Sequence, residues 1–189
     1  MTDIEQLKKL LADAGNVQDP LDRRMAVLAV VTEALAAAGV RPVVVGGLAV
    51  ELYTAGGYST SDIDMVTPYT SKVNPIMESL GFVREGRHWL HAEIDVFIEM
   101  PEPPLAGSAD KIVAMSVQGL PVYVIGVEDL IMDRLRAFEH WKSKDDGRWA
   151  TQLIAFQSDR IDWAYLRKQV TEEGLDDAFE RMKQEAEVE

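Results

Sequence analysis

Three aspartates set the chemistry that this chain can attempt. Asp62 and Asp64 flank Ile63 in the run Ser61-Asp62-Ile63-Asp64-Met65-Val66, and Asp95 lies further on between Ile94 and Val96. Residues i and i+2 of a strand project to one face, so Asp62 and Asp64 are expected side by side, with Ile63 and Met65 turned the other way. The same alternation turns Asp95 away from the face that Ile94 and Val96 help to bury. Clustered carboxylates repel one another unless cations neutralise them. Magnesium, or manganese in its place, takes such oxygen ligands together with substrate phosphates. Two such ions stabilise the attacking and the leaving oxygen of an in-line displacement at phosphorus. Asp62, Asp64 and Asp95 are therefore the candidate metal ligands and catalytic residues.

A phosphate cradle is expected beside them. The apolar run Val43-Val44-Val45 ends in Gly46-Gly47, and a glycine pair where a strand gives way to a helix lets backbone N–H groups approach phosphate unobstructed. Ser59, Thr60 and Ser61 precede the first aspartate and offer hydroxyl contacts to a phosphate tail. Each piece alone has a plainer reading: Gly-Gly as a turn, Ser-Asp-x-Asp as a strand entry or cap. An aspartate inside an apolar strand is harder to dismiss, because an unpaired buried charge is costly. In this order, on strands, the pieces read together as a nucleotide-binding and metal-binding site.

The elements that must hold these residues follow from periodicity. Residues 4–14 and 21–38 have helical spacing, closed by Gly15 and Gly39. Strands are expected at 43–45 and 62–66, a short helix at 48–53, and a helix at 71–80 closed by Gly81. The segment 82–98 is strand-like in pieces around a Glu85-Gly86 turn. Residues 112–116 and 120–125 flank Gln118-Gly119 as a hairpin. From 127 the pattern is helical throughout: 127–141, which is amphipathic with acidic residues in its first turn, then about 146–157, 162–173 and 175–187.

Composition narrows the class. The chain has 189 residues, 47% hydrophobic and 27% charged, as soluble globular proteins do. It has no cysteine, which excludes disulfides and thiolate metal sites. No apolar run approaches the roughly 20 residues of a membrane helix, so a cytoplasmic protein without membrane contact is expected. The net charge of −13 argues against a broad DNA-binding surface. It favours a small substrate carried with metal or a basic protein partner; a homo-oligomer stays open as an alternative to such a partner.

The stretch VVVGGLAVELYTAGGYSTSDIDMV resembles the polymerase-β-type nucleotidyltransferase superfamily, whose signature is a Gly-Gly or Gly-Ser step followed by Asp-x-Asp. LGFVREGRHW, EIDVFIEMP and VIGVEDLIMDRLRAFEHWKSKDDGRWA extend the likeness, over roughly residues 40–157, to small members related to minimal nucleotidyltransferases and to AbiE-type toxins. The resemblance implies an α+β nucleotidyltransferase fold, a small mixed β-sheet flanked by helices. Residues 1–126 would form the core with its N-terminal helices, and residues 127–189 a helical region packed on it.

It also implies an enzyme that uses magnesium or manganese and an NTP such as ATP. Such an enzyme transfers a nucleoside monophosphate to an acceptor hydroxyl on tRNA, a protein or a small molecule, in a toxin–antitoxin setting. Asp62 and Asp64 would be metal ligands, Asp95 the third carboxylate or general base, and Gly46 and Gly47 the phosphate-binding glycines. Two departures stand out: Tyr58 occupies a position where many relatives carry Arg, and the spacing from Gly47 to Asp62 is long. A partner-binding, antitoxin-like protein with little turnover is the competing reading. A haloacid-dehalogenase-type phosphatase is set aside, since Tyr58-Ser59-Thr60-Ser61 replaces the apolar strand that its Asp-x-Asp requires. Outside the triad, alternation would put His91, Glu93 and Asp95 on one face. Arg134 and Arg136 could face a triphosphate or solvent, and Lys111 is a weaker candidate. The resemblance would set Lys142, Lys144, Asp145 and Asp146 beside the nucleotide, whereas the residues alone read as a charged interhelical turn with an N-cap.

Overall fold

The computed structural model describes residues 3–68 and 71–188. Met1, Thr2 and Glu189, the outer residues of the charged termini, lie outside them. By contacts the chain divides into two units. The first holds residues up to Leu48, Thr60–Leu105 and Ile112–Val124; the second holds Ala49–Ser59, Ala106–Lys111 and Ile125 onward.

The first unit is built on a seven-stranded mixed sheet. Its strands are β1 (Val43–Val44), β2 (Ile63–Val66), β3 (Val83–Glu85), β4 (His88–His91), β5 (Val96–Glu99), β6 (Val113–Val117) and β7 (Leu120–Val124), in the order β3-β4-β5-β2-β1-β7-β6. β2 runs parallel to β5 and antiparallel to β1, while β1 runs parallel to β7. Ile63 and Met65 of β2 and Val96 and Ile98 of β5 are buried, so the period-2 pattern sends Asp64 and Glu99 to the opposite face. Gln118 and Gly119 both have positive φ, as a two-residue hairpin loop between β6 and β7 requires.

Helix α1 (Ile4–Gly15) and helix α2 (Pro20–Ala36) precede the sheet. α2 starts with Pro at its first turn and is capped by Asp19, whose side chain accepts the Asp22 amide hydrogen. It is apolar on nearly every side: Val27, Leu28, Val31 and Leu35 are buried, and the helix packs against α1, β6, β7 and the helix α4 (Val73–Ser79). Each such side chain contributes about 1.5–3 kcal/mol on burial, which makes α2 the main support of the sheet. A Cβ at Gly15 would stand 2.4 Å from Ile94 Cγ2, so α1 closes on the β4–β5 turn only because residue 15 has no side chain.

α3 (Gly46–Tyr53) begins at the glycine pair rather than at Leu48, and the division between units falls within it. The second unit carries α5 (Val127–Trp141), α6 (Lys144–Gln157), α7 (Trp163–Glu173) and α8 (Asp176–Ala186). At the start of α5, the buried Asp129 accepts from Tyr165 Oη at 2.7 Å and from the Ser108 amide at 2.8 Å, and the buried Glu128 accepts from the Asp162 amide at 2.7 Å. Both carboxylates also lie where the helix dipole favours negative charge. Burial and the bond to Asp129 push the Tyr165 phenol well above its ordinary range. Among the described residues, no helix is long and apolar enough to cross a membrane.

Candidate functional site

β1 and β2 bring the glycine pair onto the Asp-x-Asp. The Val45 amide donates to the Asp64 carbonyl at 3.0 Å, extending the β1–β2 ladder by one bond before the chain turns. Gly46 turns it with φ +58°, and a Cβ there would lie 2.2 Å from Asp64 Oδ2. Glycine is therefore required twice, for backbone conformation and for space. The Gly47 amide, in the first turn of α3, donates to the same Asp64 oxygen at 3.2 Å. Thr60 Oγ1 donates to Asp62 Oδ1 in a short hydrogen bond. Ser61 is exposed beside Asp62, and Ser59 is exposed and belongs to the second unit.

The third carboxylate beside Asp62 and Asp64 is Glu99. One oxygen from each of Asp62, Asp64 and Glu99 lies within 4.8 Å of the others. The register explains why: β2 and β5 are parallel neighbours, with Asp64 directly opposite Glu99. Glu99 Oε1 is 3.0 Å from Arg87 Nη2, and Oε2 is 3.5 Å from His88 Nε2. Carboxylates this close repel one another, and a surface partner such as Arg87 contributes about 0–1 kcal/mol. The trio is an oxygen donor set suited to a hard divalent cation.

Asp95 lies elsewhere. It is not in a strand but closes the turn at residues 92–95, exposed and with φ +50°, immediately before β5. Nor do His91, Glu93 and Asp95 continue one face. His91 ends β4, buried edge-on against Phe82 with ring centroids 5.1 Å apart, and the turn breaks the alternation after it. Asp95 instead lines a cavity of about 610 Å³ together with Ser61 and Asp62. Glu99 was accessible in principle from the sequence, because Phe97 and Glu99 alternate with Val96 and Ile98. The signal needed was the β2–β5 register, which links residues 35 positions apart and which no local pattern supplies.

The other candidates are engaged within the second unit. Arg134 pairs with Asp133 at 2.5 Å and Asp146 at 2.7 Å, Arg136 with Glu173, and Lys111 with Asp162 at 2.6 Å. The bond to Asp162 raises the Lys111 ammonium above its ordinary pKa. Tyr58 stands edge-on to Trp149, with ring centroids 4.8 Å apart. Lys142 takes the left-handed conformation that ends α5 and pairs with Glu139, and Ser143 caps α6 by accepting the Asp146 amide hydrogen. Lys144 and Asp145 are exposed in the first turn of α6.

The Gly-Gly step lies against Asp64 of the Asp-x-Asp, and the third carboxylate grouped with that pair is Glu99 of the parallel neighbour, where the resemblance implied Asp95. A family model described as "Nucleotidyltransferase of unknown function (DUF6036)" matches residues 21–189. The chain belongs to this family. Its α+β fold is that of nucleotidyltransferases. An antigenic nucleotidyltransferase-like protein from Paracoccidioides brasiliensis is similar with a TM-score of 0.57 and 15% identity, over 86% of this chain and 93% of that one. The antibiotic-resistance factor ANT(2'')-Ia gives a TM-score of 0.46 and 14% identity, over 84% of this chain and 90% of that one. No curated protein matches the chain at a significant level.

Proposed function

We propose that this nucleotidyltransferase-family protein is a divalent-metal-dependent enzyme that transfers a nucleoside monophosphate from an NTP to an acceptor hydroxyl. The observation that carries the reading is the convergence of Asp62, Asp64 and Glu99 within 4.8 Å beside the Gly47 amide. Asp62, Asp64 and Glu99 hold magnesium or manganese, which supplies neutralisation of phosphate charge and activation of the acceptor oxygen. The Gly46-Gly47 step at the start of α3 receives the triphosphate through backbone N–H groups, with the hydroxyls of Thr60 and Ser61 in the same unit as further donors.

Asp95, which lines the same cavity as Asp62, takes the acceptor proton. The acceptor oxygen then attacks the α-phosphorus, the bond to the bridging oxygen breaks, and pyrophosphate leaves. Holding the two reactants in one cavity replaces an encounter in solution by an oriented reaction. ATP is the natural first NTP to try. The acceptor is a tRNA end, a protein side chain or a small molecule. The toxin–antitoxin setting rests on the resemblance to AbiE-type toxins alone.

Incubation with magnesium, α-labelled NTPs and total cell RNA or protein tests the reading. Label transfer is expected, and it is expected to vanish in Asp64→Asn and Glu99→Gln. A second reading, a partner-binding protein with little turnover, is favoured by the pairing of Glu99 with Arg87 and His88, which partly occupies the third carboxylate. NTP binding with no transfer to any acceptor class would decide for it.

A further inference from the structure

The cavity beside Asp62 carries positive charge that a metal site does not need. The lining of its roughly 610 Å³ includes Arg23 and Arg24 of α2 together with Asp62, His91 and Asp95. Arg24 is 7% exposed. Arg23 Nε is buried and has no hydrogen-bond partner among the described residues, and His91 Nδ1 is in the same position. Each buried unsatisfied group costs about 1–3 kcal/mol. Arg23 and His91, which carry two of them, both line this cavity, so a ligand that draws either side chain into a bond offsets that cost. Guanidinium is a planar fork of donors matched to the oxygens of phosphate. Leu90, Val96 and Phe97 add an apolar side that accepts a ring, and the volume lies within the range of small-molecule sites.

We propose that this cavity holds the acceptor, and that the acceptor is a phosphate-bearing compound whose phosphate is gripped by Arg23 and Arg24 while its hydroxyl faces Asp62 and Asp95. The proposal rests on the transfer reading above and deepens it. The charges of the cavity fix the orientation, since phosphate is repelled from the Asp62–Asp95 side and drawn to α2. An acceptor with amino groups in place of phosphate would set ammonium against two guanidinium groups, so cationic sugars are disfavoured.

Calorimetric titration of ribose 5-phosphate, with ribose as the uncharged control, into the full chain in EDTA tests this without the metal. Ribose 5-phosphate is expected to bind and ribose to give no heat. Arg23→Gln is expected to weaken ribose 5-phosphate at least tenfold, and Arg23→Lys, which keeps the charge, to stay within about threefold, with far-UV spectra unchanged in both. Equal binding of ribose and ribose 5-phosphate, or an affinity unchanged in Arg23→Gln, would overturn the proposal. A parallel titration of the wild-type protein with magnesium-ATP separates the two levels. Absence of ATP binding with ribose 5-phosphate still bound sinks the transfer reading and leaves the phosphate cavity standing.

Discussion

A Cβ at position 46 would stand 2.2 Å from Asp64 Oδ2 on a backbone with φ +58°, so alanine there meets strain and overlap together. Gly46→Ala is expected to cost about 1–3 kcal/mol of stability and to push the Asp64 carboxylate out of the trio, which a urea-unfolding midpoint and an NTP-binding titration would both register. The proposed reading gives the two outlying carboxylates different roles. With Glu99 as a metal ligand, Glu99→Gln is expected to lower kcat/KM by roughly a hundredfold, about 2.7 kcal/mol of transition-state stabilisation, together with metal affinity. With Asp95 as a proton acceptor, Asp95→Asn is expected to lower kcat by about 10²–10⁴-fold with metal affinity kept. Steady-state rates beside a metal titration distinguish them, and loss of metal binding in Asp95→Asn alone would reverse the assignment.

At the scale of elements, helix α5 was legible in full, because its amphipathic repeat and acidic first turn are local signals that agree with one another. The hairpin at Gln118-Gly119 was legible for the same reason. β1 proved two residues long where three were expected, since the glycine pair takes over immediately after Val45. The strand expected through Asp95 begins one residue later, at Val96, for a physical reason. Apolar Ile94, Val96 and Ile98 are all buried, as a continuous strand would have them, but Ile94 is buried against Gly15 from within a turn. Asp62 and Asp64 were legible because two-residue alternation is local; Glu99 was not, because parallel register is a tertiary fact.

The Arg136–Glu173 pair, which ties α5 to α7, gives a pH test at the same scale. Hydrogen bonding from Arg136 holds the Glu173 carboxyl below its usual range. A lowered folded-state pKa means the pair stabilises above the unfolded carboxylate pKa and loses that contribution as pH falls through the folded value. With side chains about a third exposed, the pair is worth about 0.5 kcal/mol. Arg136→Gln is expected to lower the urea midpoint at pH 7, and its difference from wild type is expected to shrink steadily as pH falls below the ordinary carboxyl range. A difference that stayed the same at every acidic pH at which the protein still folds would show that the pair is not its source.

Across the whole molecule, an acidic chain of net charge −13 concentrates three of its carboxylates at one point on a sheet that α2 supports from within the same unit. Arg87 and His88 offset part of that charge at Glu99, and a bound cation would offset the rest. The most direct test is a manganese titration followed by electron paramagnetic resonance in the presence of a non-hydrolysable NTP, on the wild-type protein and on Asp62→Asn, Asp64→Asn and Glu99→Gln. The account predicts bound manganese in the wild type, at least tenfold weaker in each variant with unchanged far-UV spectra. Manganese binding that is absent from the wild type, or that survives at full strength in Asp64→Asn and Glu99→Gln, would contradict it.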